Sequence, residues 1–244
     1  MNEDRILGSL LGLAVGDALG TTVEFQARDS FPPVTDMVGG GVFSLAPGQW
    51  TDDTSMALCI AASLVETGTY DPRDQLARFV RWYRDGYLSS TGRCFDIGNQ
   101  TLTALREFEV TGEPYRTTVG GMSAGNGSLM RLAPVAMAFC DDPEAARRFC
   151  ADSSRTTHPA VECVEARGAY GRLRSGSLTA AWWSAGVHGA DINPAPALRA
   201  GEEPWNSNDS RWGFDGGTPD VSAVDTGLLT CSIPRGLGGG AGHP

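Results

Sequence analysis

The chain has 244 residues, 41% of them hydrophobic, which is enough for a substantial core in one large domain or two small ones and excludes disorder throughout. All 19 basic residues are arginines, and 29 acidic residues leave a formal net charge of -10. Because this balance gives no broad basic surface, we expect neither a nucleic-acid partner nor an anionic membrane partner. The six cysteines form no C-x-x-C pair and are predicted to be reduced thiols.

The first predicted helix follows an apolar stripe of helical period from Ile6 to Leu19. This stretch contains Asp17, lacks a basic leader and is short for a membrane span, so we expect a buried helix in a soluble, cytoplasmic protein. A second helix is predicted to begin at the acidic segment 51–54 and to stop at Gly68.

Four more apolar stripes of helical period follow along the chain, separated by polar or glycine-rich joints. They lie at Leu76–Tyr83, Leu102–Leu105, Leu129–Phe139 and Val161–Leu173. No alternating strand pattern occurs, which predicts an all-α helical domain over residues 1–174. Residues 175–244 mix tryptophan with Gly, Pro, Ser and Asn, and we expect an irregular tail there and no independent domain.

Two adjacent carboxylates and two hydroxyls stand at the start of the second helix, in Thr51-Asp52-Asp53-Thr54. Helix capping and favourable dipole interactions explain such a segment in many proteins. Capping needs only one acceptor, however, and adjacent acids repel each other, so a hard cation is a second interpretation. Glu24 and Asp96 also adjoin helix ends and could be ordinary surface acids. If the helix ends converge, both would add oxygen ligands of the kind that Mg²⁺ or Mn²⁺ prefers.

Two later motifs suggest contacts with a ligand. The small-residue run from Gly121 to Arg131 is predicted to open the fifth helix, where backbone amides could approach a phosphate, although a flexible turn would explain it equally well. It is neither a Walker loop nor a dinucleotide fingerprint. His158 is predicted to start the sixth helix, where a neutral imidazole could bind a ligand or cap the helix.

Taken in order, five motifs of this chain closely resemble those of the ADP-ribosylglycohydrolase family, which includes the dinitrogenase reductase-activating glycohydrolases. The resemblance covers residues 5 to about 174. The motifs are Gly16-Asp17-Ala18-Leu19-Gly20 with Glu24, Gln49-Trp50-Thr51-Asp52-Asp53-Thr54, Asp96-Ile97-Gly98-Asn99-Gln100-Thr101, Gly125-Asn126-Gly127-Ser128-Leu129-Met130-Arg131 and Thr157-His158-Pro159. The resemblance implies an orthogonal all-α bundle with a dinuclear magnesium or manganese centre. It also implies an enzyme that hydrolyses the N- or O-glycosidic bond between ADP-ribose and a modified protein or related conjugate.

The resemblance also implies roles for individual residues. The metal ligands would be Glu24, Thr51, Asp52 and Asp53. The three acids of this set are also the catalytic candidates, and Glu24 would position the water and the ribose. The substrate contacts would come from Asp96, Gly125, Asn126, Gly127, Ser128 and His158. The diphosphate would lie on the amides of residues 125–128. Whether arginine, serine or another acceptor is released is left open.

One family motif does not occur in this sequence, the Asp-x-Asp-Thr segment that supplies further metal ligands near the carboxyl end. Asp225-Thr226 resembles at best the helix that precedes this motif. We therefore expect a chain that is truncated or read out of frame beyond about residue 174, so that the bundle is incomplete at its carboxyl end and the site lacks ligands for the second metal ion. We also expect a monomer. The alternative to an active hydrolase is an impaired member that only binds ADP-ribose. An unrelated metal-dependent phosphohydrolase is a remote third possibility.

Overall fold

The computed structural model describes residues 3–27, 30–116 and 124–179, so the predicted tail beyond Thr179 lies outside the described residues. Within the described ranges the chain is helical and contains no strand, which confirms the predicted all-α class. The helices, numbered in chain order with a short 3-10 turn at Thr21–Val23 after the first, are α1 (Glu3–Gly20), α2 (Asp52–Thr67), α3 (Pro72–Asp85), α4 (Asn99–Thr111), α5 (Ala133–Ala138), α6 (Pro143–Arg155) and α7 (Val161–Thr179).

Helix α2 begins and ends where the sequence predicts. Gly68 has φ 69°, a left-handed conformation that glycine adopts without steric cost, and its N–H donates to Leu64 O at 3.0 Å. The next helix follows at once because the carboxylate of Asp71 accepts from the backbone N–H groups of Arg73 and Asp74.

Helix α6 was not predicted, and α5 is shorter than predicted. The buried stripe of α6 consists of small side chains such as Ala146 and Cys150, and charged residues occupy the other face. Its clearest sequence signal is Asp142 followed by Pro143, because the Asp142 carboxylate accepts from two backbone N–H groups of the first turn. The stretch from Leu129 to Leu132, predicted as helix, forms turns before α5.

Helix α7 continues past Arg174 and packs closely against α6. A Cβ atom on Gly171 would lie 2.5 Å from Ala146 O, so the two helices approach through a residue without a side chain. Arg174 Nη2 donates to Ser9 Oγ at 2.7 Å and so ties α7 to α1. The predicted domain boundary at 174 stays a prediction.

The core is formed mainly by α2, α3, α4, α5 and α6. Its largest fully buried apolar side chains are Trp82, Phe79, Met56, Ile60, Leu76, Leu105, Leu132, Leu178 and Val135. The five cysteines within the described residues are free thiols, as predicted, and Cys231 lies outside these residues.

Helix α1 is longer than the predicted apolar stripe. Together with the 3-10 turn, the stretch Glu3–Val23 is long and apolar enough by length and composition to cross a membrane. The prediction that this region is too short for a span rested on the shorter stripe Ile6–Leu19. Core helices of globular proteins meet the same criterion. Asp17 and Ser9 of α1 are buried and hydrogen-bonded to other helices, while Leu7 and Leu11 are exposed on another face. The cytoplasmic location stays a prediction.

Candidate active site

The structure brings together the four acidic side chains that the sequence analysis selected. Burial raises the pKa of Asp52, and the neighbouring carboxylates of Asp53, Asp96 and Glu24 raise it further through charge repulsion. A fifth acid, Asp17, acts on the same group. The ends of α1 and α2 and the segment before α4 therefore converge on one acidic cluster, formed by Asp17, Glu24, Asp52, Asp53 and Asp96 and called the acid cluster below.

Asp17 was missed as a site residue, although its motif was noted. Its Oδ1 accepts from Thr51 N at 3.0 Å and Thr51 Oγ1 at 2.8 Å, and its Oδ2 accepts from Thr54 N at 3.0 Å and Thr54 Oγ1 at 2.7 Å. The N-cap residue Thr51 makes no side-chain cap of its own. A carboxylate of α1 thus caps α2 from outside and fixes the turn that carries Asp52 and Asp53. The signal in the sequence was a single acid within an apolar stripe.

Thr51, predicted as a metal ligand, is buried at the bottom of this cap. Its hydroxyl donates to Asp17, so the lone pairs of its oxygen remain available to a cation. Its carbonyl oxygen accepts from Ser55 Oγ at 2.7 Å, which stabilises the first turn of α2. The metal role of Thr51 stays a prediction.

An aromatic cluster, not predicted from the sequence, joins the two segments that carry Glu24 and Asp96. The rings of Phe25 and Phe95 lie 6.5 and 5.3 Å from the ring of Phe43, measured between centroids. Asp96 has φ 58°, a conformation that residues other than glycine rarely adopt. The carboxyl groups of Glu24 and Asp96 lie close enough to hydrogen-bond each other. The three aromatic rings therefore hold Glu24 and Asp96 close together, although the two acids would repel each other when both are ionised.

Polar contacts also tie the segment before α2 to the segment before α4. Gln49 Nε2 donates to Ser90 O at 3.1 Å, and Ser90 Oγ donates to Trp50 O at 2.6 Å. Through these bonds the residue preceding Thr51 is fixed to the loop that leads to Asp96. The relative position of the acids is therefore set by tertiary contacts as well as by α2.

The acid cluster binds protons strongly. Burial, with a smaller contribution from the charges of neighbouring acids, raises the pKa of Asp53 to about 8 and that of Asp96 to about 7. The same two causes raise the pKa of Glu24, and they raise that of Asp52 well above its usual range. A divalent cation would neutralise this repulsion and replace the protons, because hard cations prefer carboxylate oxygens.

The acid cluster fits a magnesium or manganese ion by its chemistry. It offers several carboxylates and the Thr51 hydroxyl, which are oxygen ligands, in a partly buried place with excess negative charge. Within the part of the chain that the structure describes, no three His, Cys, Asp or Glu side chains are close enough to form a ready ligand set. Metal binding would therefore require the acids to draw together around the ion.

The glycine-rich segment 125–128 lies in a turn and not at the start of a helix, so that expectation is wrong. Leu129 N donates to Asn126 O at 2.6 Å, and α5 begins only at Ala133. Ser128 is fully buried, and its hydroxyl pairs with Ser154 Oγ at 3.0 Å. Because the whole residue is buried, a ligand contact of Ser128 stays a prediction. Residues 117–123, which include the beginning of the predicted run, lie outside the described residues.

His158 lies in the turn between α6 and α7 and so does not start the sixth predicted helix, which corresponds to α7 and begins at Val161. Its N–H donates to Ser154 O of α6 at 2.7 Å. Its ring packs against the glycine-rich segment, where a Cβ atom on Gly127 would be 2.9 Å from Cε1. Burial, followed by the charges of nearby arginines, lowers the pKa of His158 to about 3. The structure therefore brings a neutral imidazole and the glycine-rich segment together, as predicted for a ligand site, although their binding roles stay predictions.

The two parts of the site are neighbours. Thr101, in the first turn of α4 after Asp96, has its Oγ1 3.6 Å from the position of a Cβ atom on Gly127. Asp52 acts electrostatically on Arg131, which follows the glycine-rich segment in the chain. A ligand bound beside Gly127 would therefore be within reach of the acid cluster.

Comparisons with known proteins identify the family and several relatives of this chain. The sequence model of the ADP-ribosylglycohydrolase family matches residues 1–204. The chain is 45% identical over 199 residues to ADP-ribosylarginine hydrolase Tri1 of Pseudomonas putida (strain GB-1), covering 81% of this chain and 51% of that protein. It is 38% identical over 160 residues to the ADP-ribosyl-[dinitrogen reductase] glycohydrolase of Rhodospirillum rubrum, covering 64% and 52%.

A solved structure described as an ADP-ribosylglycohydrolase-related protein complex also resembles this fold. The TM-score is 0.63 at 44% sequence identity, and the match covers 72% of this chain and 57% of that chain. The chain spans about half the length of the curated relatives it matches.

Proposed function

Because the chain belongs to the ADP-ribosylglycohydrolase family, we propose that it acts in hydrolysing the glycosidic bond that joins ADP-ribose to a protein side chain. The observation that supports this most strongly is the convergence of acids from three separate helix ends beside the segment formed by His158 and residues 125–128. The first group suits a cation and an acid or base. The second suits a nucleotide diphosphate.

The residues have distinct roles in this proposal. Glu24 accepts a proton from the attacking water, since it is only half-buried and its raised pKa brings it closer to neutral pH. Thr51, Asp52 and Asp53, together with Glu24, would hold a magnesium or manganese ion. When bound, such an ion supplies positive charge that orients the ribose hydroxyls and lowers the pKa of water. Asp96, next to Glu24 in the acid cluster, orients the ribose.

The proposed acceptor side chain is arginine. The relatives from Pseudomonas putida and Serratia proteamaculans, 45% and 47% identical to this chain, are named ADP-ribosylarginine hydrolases. The chemistry of the site is compatible, because a cationic guanidinium next to several carboxylates forms charge-assisted hydrogen bonds. The substrate would then be an ADP-ribosylated arginine of a protein.

A second candidate function is binding of ADP-ribose without turnover. It is supported by the glycine-rich segment and His158, which lie together in the structure and whose contacts with a ligand would need no metal ion. This candidate predicts the same ligand and differs only in the chemical step.

The test is release of ADP-ribose from an ADP-ribosylated arginine peptide in magnesium buffer, together with calorimetry of free ADP-ribose. Hydrolysis by the parent chain, lost in Asp52→Asn and retained in the exposed control Asp141→Asn, would support the hydrolase. Binding in all three proteins without release would support the second candidate. Absence of both release and binding in the parent would overturn both candidates.

A further inference from the structure

Arg131 is a fully buried arginine without a carboxylate partner among the described residues. Its guanidinium lies over the Phe79 ring at 4.7 Å, and Nη1 contacts Met56 Sδ at 3.7 Å. Burial lowers its pKa to about 10, so it remains charged at neutral pH. A buried cation without a carboxylate in direct contact costs stability, so the hydrogen bonds of Arg131 are the place to look for its role.

The bonds of Arg131 lead to His158. Its Nη2 donates to Thr157 Oγ1 at 2.7 Å and, more weakly, to Thr156 Oγ1 at 3.3 Å. Thr157 Oγ1 in turn lies 2.8 Å from His158 Nδ1, and both residues are buried. The three side chains thus form a continuous chain of hydrogen bonds.

The direction of this chain follows from the groups involved. A guanidinium has donors only, so the Thr157 hydroxyl accepts from Arg131 and keeps one hydrogen to donate. Among the described residues, His158 Nδ1 is the acceptor in reach of that hydrogen. A neutral imidazole that accepts at Nδ1 carries its proton at Nε2.

The Nε2 edge of the ring faces the glycine-rich segment. A Cβ atom on Gly125 would lie 3.3 Å from Nε2, and one on Gly127 would lie 3.2 Å from it. Arg167 Nη2 donates to Gly125 O at 2.8 Å on the same side. The surroundings therefore combine a neutral N–H donor with positive charge from Arg131 and Arg167, which favours an anionic oxygen as its acceptor.

We propose that Arg131 is a positioning residue that acts through Thr157 to fix His158 as the Nε2–H tautomer, which donates to a phosphoryl oxygen of ADP-ribose at the glycine-rich segment. The choice of ligand rests on the proposed function. The tautomer is a property of the protein without ligand and can be measured on its own. Arg131 thus remains in the core, at a cost in stability, because it keeps the proton of His158 on Nε2, where it can be donated to the ligand.

The test compares Thr157→Val, which removes the hydroxyl but keeps the shape, with the matched control Thr156→Val. Thr156 contacts the same Arg131 nitrogen and has no bond to His158. Long-range ¹H–¹⁵N NMR of the ligand-free full chain reports which ring nitrogen is protonated, and the chain has only 3 histidines. A His158→Asn spectrum assigns the signals. Calorimetry then gives the affinity for ADP-ribose.

We expect the Nε2–H tautomer in the parent and in Thr156→Val. In Thr157→Val we expect a mixture of tautomers and an affinity for ADP-ribose lower by about tenfold or more, as for a lost charge-assisted hydrogen bond. Thr157→Ser keeps the hydroxyl and should restore both properties, which excludes a general folding defect.

A parent spectrum with the proton at Nδ1 would overturn the proposal. So would a Thr157→Val protein that keeps both the tautomer and the affinity. A parent that shows the Nε2–H tautomer but does not bind ADP-ribose would refute the proposed function and the ligand, and leave the role of Arg131 in setting the tautomer standing.

Discussion

At the scale of single residues, Asp17 has the largest structural role in the site because one carboxylate accepts four hydrogen bonds. In Asp17→Asn one of the two acceptor oxygens becomes a donor that faces Thr51 or Thr54. We expect the free energy of unfolding to fall by about 2–4 kcal/mol, the cost of unsatisfied buried donors. Urea denaturation measures this change.

The control for Asp17 is Asp4→Asn, an exposed change in the same helix. It should alter the free energy of unfolding by about 0.5 kcal/mol or less. Equal effects of the two substitutions would show that the Asp17 carboxylate does not hold α2 in place.

Gly127 limits the position of the His158 ring. The added methyl group of Gly127→Ala would lie 2.9 Å from Cε1 and displace the ring from the glycine-rich segment. We expect the affinity for ADP-ribose to fall by about tenfold, measured by calorimetry, as overpacking of 1–3 kcal/mol implies. Gly8→Ala is the control, since no atom lies within 4 Å of its added carbon. An unchanged affinity in Gly127→Ala would show that the His158 ring is not part of the binding site for ADP-ribose.

The acid cluster gives the metal-free protein an unusual dependence on pH. The pKa of Asp53 is about 8 in the folded chain, mainly because of burial, whereas in the unfolded chain it is near 3.8. The folded state therefore binds more protons between about pH 3.8 and 8, and the contribution of Asp53 to stability falls as the pH rises through this range, which includes pH 6.5 to 8. Asp53 alone contributes up to about 1.4 kcal/mol per pH unit.

Urea midpoints of the metal-free parent and of Asp53→Asn across this pH range test that dependence. The decline should be smaller in Asp53→Asn, and magnesium should oppose it in the parent because the ion binds the ionised acids. A parent whose stability rises between pH 6.5 and 8 would contradict the raised pKa.

At the scale of helices, the sequence predicted six of the seven helices in the described residues and missed α6. The start of α2 was predicted from its acids and hydroxyls, and Gly68 marks its observed end. Helix α6 was missed although its small buried residues are separated from its charged ones and Asp142-Pro143 marks its start. The stretch 129–132 was predicted as helix because Leu129 and Leu132 continue the stripe of α5, whereas the backbone N–H of Leu129 closes a turn on Asn126 O.

The candidate site could be predicted only as a set of residue types. Glu24, Asp52 and Asp96 were selected because each acid adjoins a helix end, and the structure places them together. The role of Asp17 and the aromatic contact of Phe43 depend on residues far apart in the chain. No local pattern reports such contacts, and only the tertiary structure shows them.

The packing of α7 on α6 offers a matched pair of glycines. Gly171→Ala should lower the free energy of unfolding by about 1–3 kcal/mol, because the added carbon would meet the backbone oxygen of Ala146. Gly168→Ala adds a carbon at 3.5 Å from Arg147, an ordinary contact, and should be neutral or slightly stabilising through helix propensity. Thermal unfolding distinguishes the two, and a reversed order would contradict the close approach of these helices.

At the scale of the whole molecule, the charges of the described residues are separated across the site. Acids gather at the ends of α1 and α2 and before α4, while Arg116, Arg131 and Arg167 act on His158. A ligand with an anionic diphosphate at one end and a ribose that meets a cation at the other would match this separation. The central claim is that both halves form one site for ADP-ribose.

The most direct test of this claim is the affinity for ADP-ribose measured by calorimetry with and without magnesium, in the parent and in Asp53→Asn. If the ion and the nucleotide share one site, each must raise the affinity for the other by the same factor. We predict that magnesium increases the affinity of the parent for ADP-ribose by about fivefold or more and that this increase is lost in Asp53→Asn. An equal affinity with and without magnesium in the parent would show that the acid cluster and the glycine-rich segment do not act together.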